Sequence, residues 1–440
     1  MPGRSRLAFL ILGTIFCFIA EAAVDPALNP VLQKITALQD KSLESSPELK
    51  IVRYHRSQKG AEAYSRFSDF LPKANFSIKR QKDFYEERNV QLRALGIGVF
   101  DSSWTIDYQW NLLNYSVIQA GRKTFTEKNL AELEVMNKVR EYPIAFNTNL
   151  LNYLLTKYKK AAVENSLKKA ETGKKEAKLG FELGQKTKLD VLRSEANMVS
   201  LDAKKTTYID EEQNAKSKFI EYSGLDTDEL GFLDSLDEIQ ILDVINTVSL
   251  PAPTLQEPVF NKSPLLETLN FEEQINNINL AKITEAQWPD LKIQGSYNNS
   301  AESFSESFHQ PYRTHSIALV LTIPLFGSGN IVSSGFEDFF AKKQIQYTMA
   351  QRKLETQNKL TNTLIKINAL ETLVSSLALN VSQYEELYRL TSKSYQLGKS
   401  TLIELLEVQD NLLDSKISLA QNKIQFYTLS QNYLWQAGIQ

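Results

Sequence analysis

The sequence predicts a mainly helical protein that also supplies strands to a membrane β-barrel. Three observations support this fold class. The chain is internally duplicated, each copy contains two segments in which apolar and polar residues alternate, and each copy contains a long segment poor in glycine and proline. Short alternating segments are typical of barrel strands. Long segments without helix breakers indicate extended or coiled-coil helices.

The duplication is clearest in two motifs that lie 214 residues apart. FELGQKTKLDVLRSEA occupies residues 181–196 and YQLGKSTLIELLEVQD occupies 395–410. A Ser-Pro pair opens each copy, and a second proline follows each pair by 25 residues. We place the first copy at 23–250 and the second at 251–440. A unit repeated in this way rarely buries its apolar surface alone, so we expect the copies to fold together.

Residues 1–22 are predicted to be a secretory signal peptide. Arg4 and Arg6 precede an apolar run, and Ala20-Glu21-Ala22 forms a small-x-small cleavage site. The only cysteine, Cys17, lies inside that run behind a bulky residue, which argues against lipoprotein processing. The mature chain is therefore expected to lack cysteine, which excludes disulfides, thiol catalysis and cysteine-ligated metals.

The charge balance argues against nucleic acid as a partner. The chain has 50 basic and 52 acidic residues and a net charge of −2, so no dominant basic surface is expected. After the signal peptide, no run approaches the ~18 uninterrupted apolar residues that a membrane-spanning helix needs. Barrel strands leave a much weaker pattern and stay possible on this evidence.

Four strands are predicted, two in each copy, with a polar loop between the members of each pair (83–101 and 299–313). They lie at about 73–82, 102–114, 290–299 and 314–326. Alternation places one set of apolar side chains on the lipid-facing side: Trp104, Ile106, Tyr108, Trp110, Leu112, Leu291, Ile293, Ile317, Leu319 and Leu321. A half-buried strand of a soluble sheet would alternate in the same way, so the pattern alone leaves both options open.

Long helices are predicted at about 116–182 and 336–396. Each would be a rod on the order of 90 Å. Pro143 is expected to kink or break the first rod, and Gly335 to mark the start of the second. A shorter helix then runs to a glycine, Gly224 in the first copy and Gly438 in the second.

The shorter helix of the second copy has paired apolar residues every seven positions from Leu405-Leu406 to Tyr433-Leu434. This double seam predicts coiled-coil packing against neighbours on two sides. In the first copy Lys205 and Glu212 interrupt the seam, so its centre is expected to face water or a different neighbour.

The repeated motifs are predicted to be hairpin tips, at about 183–188 and 397–402. Glycine permits the turn. Thr187 and Thr401 then cap the returning helix, and Asp190 and Glu404, three residues on, complete a capping box.

The chain resembles the TolC-type outer-membrane efflux proteins over essentially its whole mature length. The resemblance rests on the tandem strand–loop–strand–hairpin units, on IPLFGSG at 323–329 and on the twin tip motif G-x-x-T-x-[LI]-[DE]-[VL]-L. It implies a trimer in which each protomer gives four strands to one 12-stranded barrel above a periplasmic α-helical tunnel. It also implies an equatorial segment at about 225–250, with SLPAP linking the copies.

The resemblance further implies a periplasmic gate at the tips. Tyr395 matches the family's gating tyrosine, Asp190 its inter-protomer acidic partner, and Glu404 and Glu407 the acid positions that ring the entrance. The family's gate arginine aligns with Ser400, next to Lys399, and whether Lys399 takes its place stays open. The backbones expected to contact an adaptor are those of Leu183, Gly184, Gln185, Leu397, Gly398 and Lys399. A solvated helix start would also account for the acids.

The expected function is a passive exit duct of a tripartite efflux or type I secretion system in the cell outer membrane, extending into the periplasm. The implied partners are two further copies of the chain, a periplasmic adaptor (membrane fusion protein), an inner-membrane pump or ABC transporter, and outer-membrane lipid. The rival interpretation is a structural periplasmic coiled coil or surface-attachment protein without transport activity. No cofactor or metal is expected, and His55, His309 and His315 form no catalytic motif, so the chain is not expected to be an enzyme.

Overall fold

The computed structural model of the chain describes residues 29–81, 90–92, 94–95, 102–248, 263–284, 287–301, 305, 308–309, 313–325 and 329–439. The predicted signal peptide, the SLPAP link, the 326–328 part of IPLFGSG and most of the two strand-connecting loops lie outside these residues. Most of the described residues are helical, which confirms the mainly helical fold class.

Each half of the chain has one very long and one shorter helix joined at a tip. The helices of the first half are α1 (Asn29–Ser45), α2 (Pro47–Phe67), α3 (Tyr115–Glu182), α4 (Lys188–Ser223), α5 (Gly231–Asp234) and α6 (Glu238–Val248). Those of the second half are α7 (Pro264–Ala281), α8 (Asn330–Gln396) and α9 (Leu402–Gln436). The long helices have 68 and 67 residues and the shorter ones 36 and 35, so the halves match closely.

Pro143 lies inside α3, which continues through it from Tyr115 to Glu182. Of the kink or break predicted at this proline, the break is wrong and the kink stays a prediction. Proline removes one backbone hydrogen bond and disturbs the preceding turn, at a cost of about 3 kcal/mol. Its neighbours Tyr142, Ile144 and Phe146 are all buried, and this local burial offsets the cost.

Helix α8 begins at Asn330, so Gly335 lies in its second turn and the prediction that this glycine marks the helix start is wrong. One 18-residue window of α8 has a mean hydropathy of 1.3 and is only 6% buried. By length and composition alone, this stretch could cross a membrane. Along α8 as a whole, the exposed apolar residues Ile365, Leu379 and Leu390 recur after 14 and 11 residues, close to whole numbers of helical turns. Helix α8 thus carries an exposed apolar stripe.

The four strands form one antiparallel sheet in the order β1-β2-β3-β4. They are β1 (Lys73–Arg80), β2 (Ser102–Leu113), β3 (Asp290–Ala301) and β4 (Arg313–Thr322). The expected fourth strand reached residue 326, but β4 ends at Thr322. Pro324 cannot donate a ladder hydrogen bond, so pairing stops before it.

The register divides the sheet into two chemically different faces. Residues directly opposite one another on neighbouring strands share a face. The apolar sheet face contains Phe76, Ile78, Trp104, Ile106, Tyr108, Trp110, Leu291, Ile293, Tyr297, Ile317, Leu319 and Leu321. The polar sheet face contains Lys73, Asn75, Ser77, Thr105, Asp107, Gln109, Gln294, Ser296, Asn298, Thr314, Ser316 and Ala318. Nine of the ten positions predicted to face lipid lie on the apolar sheet face, and Leu112 is the exception.

A register shift between Asn111 and Leu113 ends the strict alternation of β2. Leu112 is the extra residue, and Leu113 pairs with Leu291. Leu112 was predicted to lie on the same face as Trp110, but Leu113 takes that position. One inserted residue reverses the side on which the following side chains project.

Gly295 allows the Tyr108 ring to lie across the neighbouring strand. A Cβ atom at Gly295 would stand 2.4 Å from both Cζ and Oη of Tyr108. The Tyr108 hydroxyl reaches Nε2 of His315 at 2.9 Å and donates to the carbonyl of Ser316 at 3.2 Å. The glycine is thus needed for a close approach, which is a recurrent role of glycine within strands.

The described chain divides into two compact units, and each takes segments from both halves of the sequence. One unit contains Val135–Leu266 and Glu355–Gln440 together with the chain up to Arg53. The other contains Tyr54–Glu134 and Glu267–Leu354, and it includes the whole sheet. The proposed repeat boundaries at residue 250 remain a prediction.

The first unit is built around α9, whose two apolar seams pack into different clusters. Leu413 and Tyr427 join the large cluster formed with α3, α4 and the equatorial helices. Phe426 and Tyr433 join Leu360 of α8 in a second cluster. The predicted packing of this helix on two sides is confirmed, because adjacent positions of a heptad point towards different neighbours.

The polar centre of α4 also has a partner. Lys205 pairs with Glu164 at 3.2 Å and Glu212 with Lys160 at 2.8 Å, both between α4 and α3. The predicted neighbour was water or a different element, whereas both side chains pair with the antiparallel helix of the same hairpin. The paired side chains are half-buried at the helix surface, where an ion pair typically contributes about 1 kcal/mol or less.

Asp234, at the end of α5, fastens the segment that contains α5 to the first hairpin. Its carboxylate accepts hydrogen bonds from the Tyr153 hydroxyl at 2.5 Å and from the Lys216 ammonium at 2.8 Å. Lys157 also donates to the Asp234 carbonyl at 2.7 Å. Burial opposes ionisation of Asp234, but the bonds from Lys216 and Tyr153 outweigh it and lower the pKa of the carboxyl.

We expect Asp234→Ala to reduce the free energy of unfolding by about 1–3 kcal/mol, because the fully buried Tyr153 hydroxyl loses its acceptor. A carboxyl with a lowered pKa stabilises the fold above its unfolded pKa of ~3.9, and this contribution is lost as pH falls through the folded value. The difference from wild type should therefore be constant near neutral pH and shrink below about pH 4.

Thermal unfolding followed by circular dichroism at several pH values measures this difference. Asp228→Ala removes an exposed acid from the same segment and should change stability by no more than about 0.5 kcal/mol. Equal effects of the two substitutions would show that the Asp234 contacts contribute nothing specific.

Candidate functional site at the two hairpin tips

The two tips have the same backbone geometry. Gly184 and Gly398 adopt left-handed conformations, with φ of 67° and 71°. The amide that follows each glycine donates back to the preceding helix, from Gln185 to the Gly180 carbonyl at 2.7 Å and from Lys399 to the Ser394 carbonyl at 2.8 Å. Such bonds satisfy the last carbonyls of a helix. The repeated motif therefore encodes one turn, formed twice.

Both predicted capping boxes are present. The Asp190 amide donates to the Thr187 hydroxyl at 3.2 Å and the Thr187 amide to the Asp190 carboxylate at 3.0 Å. In the second tip, the Glu404 amide donates to Thr401 at 3.3 Å and the Thr401 amide to Glu404 at 3.1 Å. The backbone bond from Thr187 is the main reason that the pKa of Asp190 is lowered. Each box satisfies two amides that a helix start leaves open.

The acidic positions differ in their surroundings. Glu404 and Glu407 are exposed and lie three residues apart, so both occupy one side of the first turns of α9. Asp190 is half-buried and uses Oδ2 for both of its bonds from Thr187. Oδ1 lies outside these two bonds.

The structure brings one basic residue onto Tyr395, the predicted gate tyrosine, and the resemblance to the family did not identify this residue. The ammonium of Lys186, in the first tip, lies 4.0 Å from the centre of the Tyr395 ring. Lys399 is exposed, and Ser400 donates to the Thr391 carbonyl at 3.2 Å within its own hairpin. Lys186 precedes Ser400 by the repeat offset of 214 residues. Comparing the two tip motifs position by position could therefore have revealed it.

The residues predicted to contact an adaptor form the outermost surface of each tip. Leu183 is 63% exposed and Leu397 is 70% exposed. Gly184, Gln185 and Gly398 are exposed as well. Both tips thus present an apolar side chain beside exposed backbone, which suits a contact with another chain better than a folded core.

The second group of candidate residues, on the apolar sheet face, is partly exposed, since Trp104, Tyr108, Leu291 and Ile293 are half-buried. Ile317, Leu319 and Leu321 are 67%, 66% and 57% exposed, and Trp110 is 42% exposed. Aromatic rings cluster at both ends of the strands. Trp104 contacts Phe76, Tyr297 and Phe308 at centroid distances of 6.1, 5.4 and 6.3 Å at the loop end. At the helical end Trp110 donates to the Phe70 carbonyl at 2.8 Å, and Tyr115 stacks on Trp288 at 4.5 Å.

Comparison with known proteins finds the same architecture elsewhere. A family model described as "Outer membrane efflux protein" matches residues 276–433. The alkaline protease secretion protein AprF of Pseudomonas aeruginosa is 21% identical over 427 residues, which cover 90% of this chain and 83% of AprF.

Solved structures match over a larger part of the chain than the family model does. The CmeC outer membrane channel of Campylobacter jejuni superposes with a TM-score of 0.74 at 13% identity, covering 92% of this chain and 85% of CmeC. The outer membrane protein VceC of Vibrio cholerae superposes with a TM-score of 0.68 at 14% identity, covering 92% and 96%. The resemblance drawn from the motifs is thus confirmed at the level of the fold: the chain has the fold of these outer-membrane channels, and the outer membrane efflux protein model matches its residues 276–433.

Proposed function

We propose that the chain is one protomer of a trimeric duct in the outer membrane, through which solutes pass from the periplasm to the exterior. The proposal rests mainly on the two chemically different faces of the sheet and on its two edge strands. One face is apolar and partly exposed, the other is polar, and the edge strands β1 and β4 each pair on one side in the described protomer. A barrel that spans a membrane needs all three features at once: lipid outside, water inside and edges that can close.

Closure of the sheet requires further strands. Four strands are too few for a barrel with a polar interior, since the smallest membrane barrels have eight. Three protomers that join β1 to β4 would give twelve strands and leave no open edge. The two aromatic clusters support this placement, because Trp104 and Trp110 are six residues apart, or ~20 Å along a strand. The apolar band of an outer-membrane barrel is about 25 Å tall.

The long helices supply the periplasmic part of the duct. The exposed stripe of α8 at Ile365, Leu379 and Leu390 has the spacing of a coiled-coil contact with a neighbouring chain. In a trimer this stripe would be covered, and the helices would enclose a tunnel. The apolar window of α8 then serves packing between protomers rather than a second membrane crossing.

The tips are the closed end of this tunnel. Glu404 and Glu407, each present three times, would form acidic rings that favour cations and bind divalent ions. Oδ1 of Asp190 would accept a hydrogen bond from a neighbouring protomer. An adaptor that docks on the exposed tips would move the hairpins apart, and an inner-membrane pump would supply energy and direction.

The duct performs no chemical step in this proposal. AprF is named for protease secretion and CmeC is described as an outer membrane channel, and one kind of conduit can serve both roles. The proposal therefore covers efflux and type I secretion alike.

Single-channel recording of the purified protein in planar bilayers tests the proposed function. A small, cation-selective conductance that millimolar magnesium blocks is expected from a nearly closed entrance lined by carboxylates. Absence of any conductance, together with extraction from membranes without detergent, would instead support the structural coiled-coil alternative.

A further inference from the structure

The geometry points to Lys186 as the basic residue of the gate. We infer that its ammonium, held on the ring face of Tyr395, fastens the first hairpin of a protomer to the second and keeps the entrance closed. The inference rests on the proposed function, since it concerns the gate of that duct. It adds a residue that the family motif does not contain and a type of contact other than a hydrogen bond.

The contact itself is close and partly shielded from water. The Lys186 ammonium lies 4.0 Å from the centroid of Tyr395, well inside the ~6 Å range of a cation–π interaction. Both side chains are half-buried. Partial removal from water strengthens such a contact, because the cation loses competing solvent.

The backbone of the first tip aims Lys186 at the second hairpin. Its amide donates to the Gly180 carbonyl at 3.0 Å, so the residue is folded back against the end of α3. Its aliphatic stem then lies on Gly180, where an added Cβ atom would stand 2.5 Å from Lys186 Cγ. The missing side chain at Gly180 thus leaves the space through which the lysine reaches Tyr395.

In the second tip, the residue equivalent to Lys186 is Ser400, which makes no comparable contact with the described residues of the other hairpin. Ser400 is bonded to the Thr391 carbonyl, and its neighbour Lys399 is exposed. The basic group that the family places at the Ser400 position is therefore found here at the matching position of the first tip. The positive charge lies one repeat earlier in the chain, at Lys186, and it contacts Tyr395 from the first hairpin.

A second contact of the same kind lies further along the same helices. Lys169 of α3 places its ammonium 5.2 Å from the ring centre of Tyr388. Tyr388 precedes Tyr395 by seven residues on α8, so the two rings lie on one side of that helix. Two lysines of the first hairpin therefore lie on two tyrosines of the second, and separation of the hairpins must break both contacts.

The contact makes a distinctive prediction, because it uses the face of the ring and not the hydroxyl. Lys186→Gln and Tyr395→Leu should each raise the occupancy of the open channel about fivefold or more, and the double variant should add little to either. Tyr395→Phe keeps the aromatic ring and Lys186→Arg keeps the cation, so each of these variants should stay closed like the wild type. Single-channel conductance and open probability in planar bilayers provide the readout.

Two further variants separate the contact from changes in charge or folding. Lys188→Gln removes an exposed lysine from the same tip and should leave the conductance unchanged. Gly180→Ala keeps every charge but displaces the Lys186 stem, so it should open the channel as Lys186→Gln does. Circular dichroism and trimer migration on gels confirm that each variant is folded.

Three results would overturn the inference while leaving the duct intact. They are a conducting Lys186→Gln channel that behaves like wild type, a Tyr395→Phe channel as open as Tyr395→Leu, and opening by Lys399→Gln without opening by Lys186→Gln. Absence of conductance in wild type and in every variant would instead reject the proposed function, so the two failures are distinguishable.

Discussion

Replacement of both Glu404 and Glu407 by glutamine is expected to abolish the block of single-channel conductance by magnesium and to reduce cation selectivity. Both carboxylates are exposed and lie within one turn at the start of α9. In a trimer the double substitution removes six negative charges from one narrow ring. Rings of carboxylates determine cation binding in channels, so their loss should have a large effect on a small pore.

The matched control removes the same number of charges elsewhere on the long helices. Glu337 and Glu371 are exposed residues of α8, away from the tips. A channel with glutamine at both of these positions should keep its magnesium block. If this channel loses the block as well, or if the Glu404 and Glu407 variant retains it, the acidic entrance lies elsewhere in the protein.

The substitution of Glu404 should leave the capping box of α9 intact. Glutamine can still accept the hydrogen bond from the Thr401 amide, because a capping box tolerates either side chain at this position. The tip should therefore keep its shape, and the result should report the charge. Thr401 is therefore kept, because its loss would change the shape of the tip as well as its charge environment.

Leu319→Arg is expected to prevent stable insertion of the barrel. Leu319 is 66% exposed at the centre of β4 on the apolar sheet face. An arginine on the lipid side of an outer-membrane barrel costs about 2–4 kcal/mol near the bilayer midplane, and a trimer would carry three of them. We expect the protein in the outer-membrane fraction, and the yield of trimer folded into lipid vesicles, to fall severely.

The preceding residue provides the control. Ala318 belongs to the polar sheet face and lines the same groove as Lys73, Asp107 and Gln294. Ala318→Arg should insert and form trimers, because a water-filled lumen accepts charge. Equal tolerance of both substitutions would show that the apolar sheet face does not contact hydrocarbon, and equal failure would show that the strand accepts no large side chain.

Much of the fold follows from local patterns in the sequence. Alternation identified the strands and assigned Leu291, Ile317 and Leu319 to one face, since successive side chains of a strand point to opposite sides. The tip motif identified the turns and both capping boxes, because each depends on residues within one helical turn. Heptad spacing identified the double seam of α9 for the same reason.

Local patterns were misleading where distant contacts compete with them. Pro143 and Gly335 are ordinary helix breakers, but the helix continues through each of them. The neighbours of Pro143 are buried against other elements, and that burial exceeds the local cost. The shift at Leu112 was hidden because an extra residue in one strand can be recognised only against its partner.

The sequence by itself therefore determined the duplicated plan, the chemistry of the two sheet faces and the turns at the tips, because these depend on neighbours close in the chain. Only the tertiary structure decided which lysine lies on Tyr395 and which groups hold Asp234. Lys186 and Tyr395 are separated by more than two hundred residues. Their contact depends on how two long hairpins pack, and packing is a property of the whole fold.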